Sequence, residues 1–135
     1  MIYRRSIRVE FNHCDPAGIV FYPRYFEMCN SVVENFFRDI VRRPFEDMMA
    51  RREGVPTARI ETNFHAPSRL GDGLDWQLSV KRIGTSALDL ALDATCNDES
   101  RLSATLTLVY VSATGRPQPW SQSALNHISE FMEIK

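Results

Sequence analysis

The sequence predicts an α+β domain in which a five-stranded antiparallel sheet wraps one long central helix. Three observations carry that prediction. Apolar residues recur at helical spacing over one extended segment, at Phe26, Cys29, Val33, Phe36, Phe37 and Ile40. Later in the chain, period-2 segments alternate with short connections rich in Gly, Asn and Ser. The 135 residues are 44% hydrophobic, with no repeat, low-complexity tract or interdomain linker, which fits one domain over residues 1–135 with a real core.

The elements follow in order. Ser6-Ile7-Arg8-Val9-Glu10-Phe11 alternates polar and apolar, as a half-buried strand does. It runs into Asp15-Pro16-Ala17-Gly18, whose residue types are those of a type I turn. Asp is favoured first, Pro presets φ at the second position, and Gly is favoured fourth. After the apolar run Ile19–Phe21, Pro23 suits the first helical position, where its missing N–H has no partner to lose. Tyr25, Met28 and Val32 widen the apolar helix face, so the helix is expected to be largely enclosed. Arg42-Arg43-Pro44 ends it, and Phe45 to Gly54 reads as a second, shorter helical segment.

Strands are expected over Thr57–His65, Leu74–Ile83, Ala87–Cys96 and Arg101–Val111, joined as antiparallel hairpins by short connections. Leu88, Leu90, Leu92 and Ala94 set one apolar face, and Leu102, Ala104, Leu106 and Leu108 another, so these two strands should pair with the same face inward. Gly115 to Pro119 cannot continue a sheet. Ser121 caps a last amphipathic helix through Leu125, Ile128, Phe131 and Met132.

Composition narrows the function. With 16 basic and 17 acidic residues the net charge is −1, which points to no nucleic-acid or anionic-membrane surface. No apolar run approaches a membrane span, and the N-terminus lacks a signal-peptide core. Three cysteines without paired spacing fit reduced thiols, hence a cytoplasmic location. His13, His65 and His127 show no ligand spacing, so no metal or other cofactor is expected.

Asp15 stands out because it puts a carboxylate on a tight turn just upstream of a helix start. One reading is purely local: Asp in that position accepts a hydrogen bond from its own turn. The other is chemical. Backbone N–H groups in the first turn lack intrahelical partners, and the macrodipole adds about half a positive charge there. With Pro23 contributing no donor, the N–H groups of Tyr22 and Arg24 are the candidates to point outward. A carbonyl between them and Asp15 would meet a nucleophile or base on one side and a preorganised donor on the other, as acyl transfer requires.

The run Phe11…Cys14-Asp15-Pro16-Ala17-Gly18-Ile19-Val20-Phe21-Tyr22-Pro23…Tyr25 resembles the active-site segment of the 4-hydroxybenzoyl-CoA thioesterase family, and the element order resembles that family's hotdog fold. The resemblance implies hydrolysis of an acyl-CoA or other phosphopantetheine thioester. Asp15 would act as nucleophile or general base, and the Tyr22 N–H would polarise the carbonyl. It also implies a homodimer or homotetramer with sites at subunit interfaces. His13 and Tyr25 are then candidates for substrate contact, and Thr57, Asn63 and His65 for lining the pocket from the partner subunit. Lys81 and Arg82, beside the Gly84-Thr85-Ser86 turn, are candidates to hold phosphate, with Ser86 in the same role. Two other classes stay open: a non-catalytic acyl-thioester-binding module, and an enoyl-thioester hydratase using Glu27 or Glu34. A Cys14–His13 thiol pair is disfavoured, since neighbours on an extended segment face opposite ways.

Overall fold

The computed structural model describes residues 1–133; residues 134–135 of the expected domain lie outside the described residues. The strands are β1 (Tyr3–Arg8), β2 (Thr57–Phe64), β3 (Gly73–Ile83), β4 (Ala87–Cys96) and β5 (Glu99–Val109). The helices are α1 (Tyr22–Phe36), α2 (Phe45–Ala50) and α3 (Gln122–Ser129). One antiparallel sheet runs in the order β1-β3-β4-β5-β2 and packs its inner face on α1, which is the hotdog layout.

The core follows from the alternation in the strands. Leu88, Leu90, Leu92 and Ala94 of β4 stand directly opposite Leu108, Leu106, Ala104 and Leu102 of β5, and all eight are buried. From the helix side come Tyr25, Met28, Cys29, Val32, Val33 and Phe36, so the predicted helical face is the one that packs. Ser121 caps α3 as expected, its hydroxyl accepting the Ala124 N–H at 3.1 Å.

Four details differ from the sequence reading. The first strand is Tyr3–Arg8 rather than Ser6–Phe11: the Val9 N–H still bonds the Asp72 carbonyl in register (2.8 Å), but the Val9 carbonyl takes the Gly71 N–H (2.9 Å) while the Asp72 N–H turns back to Arg69 (3.0 Å), which ends the ladder; residues Phe11–His13 form a 3-10 turn, and Phe11 is 82% exposed. The long helix changes after Phe36 into a π-helical turn, Phe37–Val41, and stops where Arg42 enters the left-handed region at φ 63°. Enclosure of α1 is incomplete, because Tyr22 and Phe21 at its start are exposed. Finally, β2 and β3 form no hairpin; β2 pairs with β5 at one edge, while β3 lies between β1 and β4. The link between them, residues 65–72, therefore crosses one end of the sheet, and that crossing supports the site.

Candidate active site

The Asp15 segment folds as a small hairpin of its own. The Asp15 N–H donates to the Ile19 carbonyl (3.0 Å), the Phe21 N–H to the His13 carbonyl (2.9 Å) and the Gly18 N–H to the Asp15 carbonyl (2.9 Å). This is a three-residue connection, a type I turn followed by a left-handed residue, and Gly18 supplies the latter at φ +80°. The predicted turn is thus present within a hairpin. Residues 67–72 back it: the Val20 N–H donates to the Ser68 carbonyl (2.9 Å) and the Leu70 N–H to the Gly18 carbonyl (3.3 Å).

Asp15 is partly buried, and its Oδ1 accepts the Ala17 N–H at 2.9 Å, so the local Asx turn does form. That bond uses one carboxylate oxygen. Among the described residues, Oδ2 has no protein partner in hydrogen-bond contact. The hairpin's second arm leads directly into α1. There the Tyr22 N–H donates to no backbone carbonyl among the described residues, and Pro23 has no N–H to offer. Arg24 is a correction: its N–H is spent on the Phe21 carbonyl (2.8 Å), leaving Tyr22 as the donor of the predicted pair.

The remaining predicted residues separate. His13 is committed locally, its Nδ1 accepting the Glu10 N–H at 2.9 Å; a neutral ring then carries its proton on Nε2. The Cys14 thiol donates to the Glu10 carbonyl (3.6 Å). Tyr25 is a core residue, 4% exposed, rather than one that faces the open site. Glu27 pairs with Arg24 at 3.0 Å, and Glu34 is exposed.

Strand parity moves Asn63 and His65 off this side of the chain. The buried partners of β2 mark Ile60, Thr62 and Phe64 as its inner row, so Glu61, Asn63 and the following His65 belong to the outer row. His65 Nε2 lies 2.6 Å from Ser103 Oγ there, and Asn63 lines a polar surface depression with Asp93 and Ser103. Burial pushes the Asp93 carboxyl up, against the lowering effect of His65.

Lys81 is the unpaired residue of a β-bulge at the far end of β3, with Arg82 next to it, and the Ser86 carbonyl accepts the Tyr110 N–H (2.7 Å). From Gly73 to Lys81 the strand covers roughly 26 Å at 3.3 Å per residue. Within one chain these residues stand at the opposite end of the sheet from Asp15.

Two features escape sequence reading. Phe64 reaches from β2 to the start of α1, with ring centroids 6.4 Å from Tyr22, 5.8 Å from Tyr25 and 6.4 Å from Phe26. Beside Phe26 opens a mainly apolar groove of about 570 Å³ between α1, α2 and the β2–β5 pair, with Val33, Met48, Met49, Ile60 and Leu106 in its wall. Thr57, expected to line a pocket from the partner subunit, borders this groove of its own chain. Cys29 also borders it, but burial pushes its thiol up to about 12, which leaves it unreactive near neutrality. The inward parity of Ile60 and Phe64 was the available signal for both features.

Comparison with known proteins adds context to this arrangement. The model of the thioesterase-like superfamily matches residues 9–128. The 4-hydroxybenzoyl-CoA thioesterase of Pseudomonas sp. (strain CBS-3) is 29% identical over 76 residues, covering 55% of this chain and 54% of that protein. The match thus spans about half the length of the curated relative. Among solved structures, a 1,4-dihydroxy-2-naphthoyl-CoA thioesterase from Synechocystis superposes with a TM-score of 0.87 at 16% identity, over 96% of this chain and 97% of the other. A gentisyl-coenzyme A thioesterase gives 0.85 at 21% identity, over 91% and 99%. At such identities the structural likenesses speak for the fold.

Proposed function

The chain belongs to the thioesterase-like superfamily, and from that premise we propose that it is an acyl-CoA thioesterase, with Asp15 as the catalytic carboxylate and the Tyr22 N–H as the oxyanion donor. The observation that carries the reading is the hairpin: it holds a carboxylate oxygen without a protein partner on the turn that feeds a helix start with an unused N–H. The carbonyl oxygen of the substrate takes the hydrogen bond from Tyr22, and Asp15 supplies the attack. Either its carboxylate adds to the thioester carbon, expelling the CoA thiolate and leaving a mixed anhydride for water to open, or it takes the proton of the attacking water. Thiolate leaves without a strong acid to protonate it. A single oxyanion donor of this kind contributes about 3–4 kcal/mol to lowering the barrier.

The apolar groove along α1 supports an acyl group bulkier than benzoyl. Tyr22 and Phe26 are one helical turn apart, and Phe26, Asn30 and Val33 continue along the helix into the groove. A linear chain starting at the Tyr22 N–H follows that face. The CoA nucleotide calls for a second copy. The open edge at β2 is covered when two chains pair there antiparallel about a two-fold axis, and such pairing carries the Lys81 and Arg82 end of one chain towards the Asp15 end of the other.

Thiol release from benzoyl-, 4-hydroxybenzoyl-, hexanoyl- and dodecanoyl-CoA tests the reading. The expected result is hydrolysis of at least one, with kcat/KM for an aliphatic chain above that for the benzoyl esters. Absence of release from every member would overturn the assignment.

A further inference from the structure

We propose that Arg101 is a positioning residue for the Asp15 hairpin, acting through Asp72 and the loop that backs the hairpin; the proposal rests on the reading of Asp15 as the catalytic carboxylate. Arg101 lies near the start of β5, and its side chain is only 11% exposed. Its Nη1 donates to Asp72 Oδ2 at 2.7 Å and to the Pro67 carbonyl at 3.2 Å. Asp72 Oδ2 also accepts the Arg69 N–H at 2.9 Å. One guanidinium and one carboxylate therefore tie together both ends of the stretch from Pro67 to Asp72. The Arg101 carbonyl accepts the His65 N–H at 2.9 Å, which fixes the approach to that stretch from β2.

Backbone on either side of the catalytic turn bonds to the same stretch. Before Asp15, Val9 exchanges two bonds with it: the Val9 N–H donates to the Asp72 carbonyl (2.8 Å), and the Gly71 N–H donates to the Val9 carbonyl (2.9 Å). After Asp15, the Ser68 carbonyl accepts the Val20 N–H, and the Leu70 N–H donates to the Gly18 carbonyl. Arg101 thus sets the platform under the hairpin's second arm and under the end of β1 that leads into the hairpin, without touching substrate. Small errors in the placement of a reacting group cost large factors in rate, so loosening the platform acts on turnover before it acts on binding. A second contact of the same guanidinium supplies a control. Arg101 Nε also faces Glu99 Oε1 at 2.7 Å, but Glu99 is 59% exposed and bonds nothing in the loop.

The test compares Arg101→Gln, Arg101→Lys, Asp72→Asn and Glu99→Gln for kcat, KM and amide hydrogen exchange. For Arg101→Gln and Asp72→Asn, kcat should fall about 10- to 50-fold with KM within about twofold of wild type. Arg101→Lys, which keeps the charge and one bond to Asp72, should recover most of the loss, and Glu99→Gln should match wild type. In the Gln and Asn variants the Val20 and Leu70 amides should exchange at least about tenfold faster while those of β4 hold their rates. An unchanged kcat, an equal loss in Glu99→Gln, or a uniform acceleration of all amides would each overturn the proposal. The exchange pattern also separates this proposal from the functional one: a wild type without thioesterase activity removes the reading of Asp15, while local loosening of the hairpin still stands or falls by exchange.

Discussion

At Asp15 the turn bond and the proposed chemical role use different atoms, which makes them separable. Asparagine keeps the oxygen that accepts the Ala17 N–H but loses the charge, so Asp15→Asn should melt within about 3 °C of wild type. Gly18 tests the turn itself. An added Cβ meets no heavy atom within 4 Å, so Gly18→Ala carries only the backbone cost of φ +80°, about 1 kcal/mol. Scanning calorimetry should record this as a fall of about 3–5 °C. Asp72 gives a pH signature. The Arg69 N–H first, and the Arg101 guanidinium second, hold its carboxyl below the usual range. A folded value below the unfolded one means the stabilisation is complete above the unfolded value, about pH 4, and disappears as pH falls through the folded one. In denaturant titrations Asp72→Asn should therefore be about 1–3 kcal/mol less stable than wild type at pH 7, with the gap closing below about pH 4.

Among the elements, the start of α1 carries the prediction that best separates backbone from side chain. If the Tyr22 N–H is the oxyanion donor, Tyr22→Ala keeps it and retains most of kcat, whereas Tyr22→Pro deletes it and should lose about 10²- to 10³-fold. Phe21, at ψ 123°, already has the extended conformation that a following proline requires, so the helix start tolerates the change. Equal kcat in the two variants would remove Tyr22 from the mechanism. What was legible from sequence here was local. Asp15-Pro16-Ala17-Gly18 spells its turn, Pro23 marks the helix start, and the alternating leucines of β4 and β5 give their shared inward face. Where sequence reading failed, distant partners decided. The Val9 carbonyl takes the Gly71 N–H while the Asp72 N–H turns back to the Arg69 carbonyl, which ends β1 short of Phe11. Asn63 and His65 look well placed in one dimension, but parity against β5 turns them to the outer face. Arg101 opens an expected strand, and nothing local in the sequence names its partner; the crossing loop brings Asp72 to it.

The whole molecule is organised around two unlike edges. Past the first residue of β1, the C-terminal segment takes its place beside β3: the Val80 N–H donates to the Phe131 carbonyl (2.8 Å) and the Glu133 N–H to the Val80 carbonyl (2.9 Å). At β2 the edge stays open, with Ile60 40% and Phe64 49% exposed beside it. Open apolar edges invite pairing. Sedimentation equilibrium should accordingly give at least twice the 15.5 kDa of the chain, and Ile60→Lys should shift the protein towards monomer with a matching loss of activity. A monomeric wild type with full activity would contradict the two-chain site. The proposed mechanism depends on Asp15 beside the start of α1. The most direct test is kcat for the preferred acyl-CoA in wild type and Asp15→Asn, with melting curves run on the same samples. The account predicts a loss of at least about a hundredfold in a variant that melts like wild type. Retention of most of the activity would reduce Asp15 to a turn residue and contradict the mechanism.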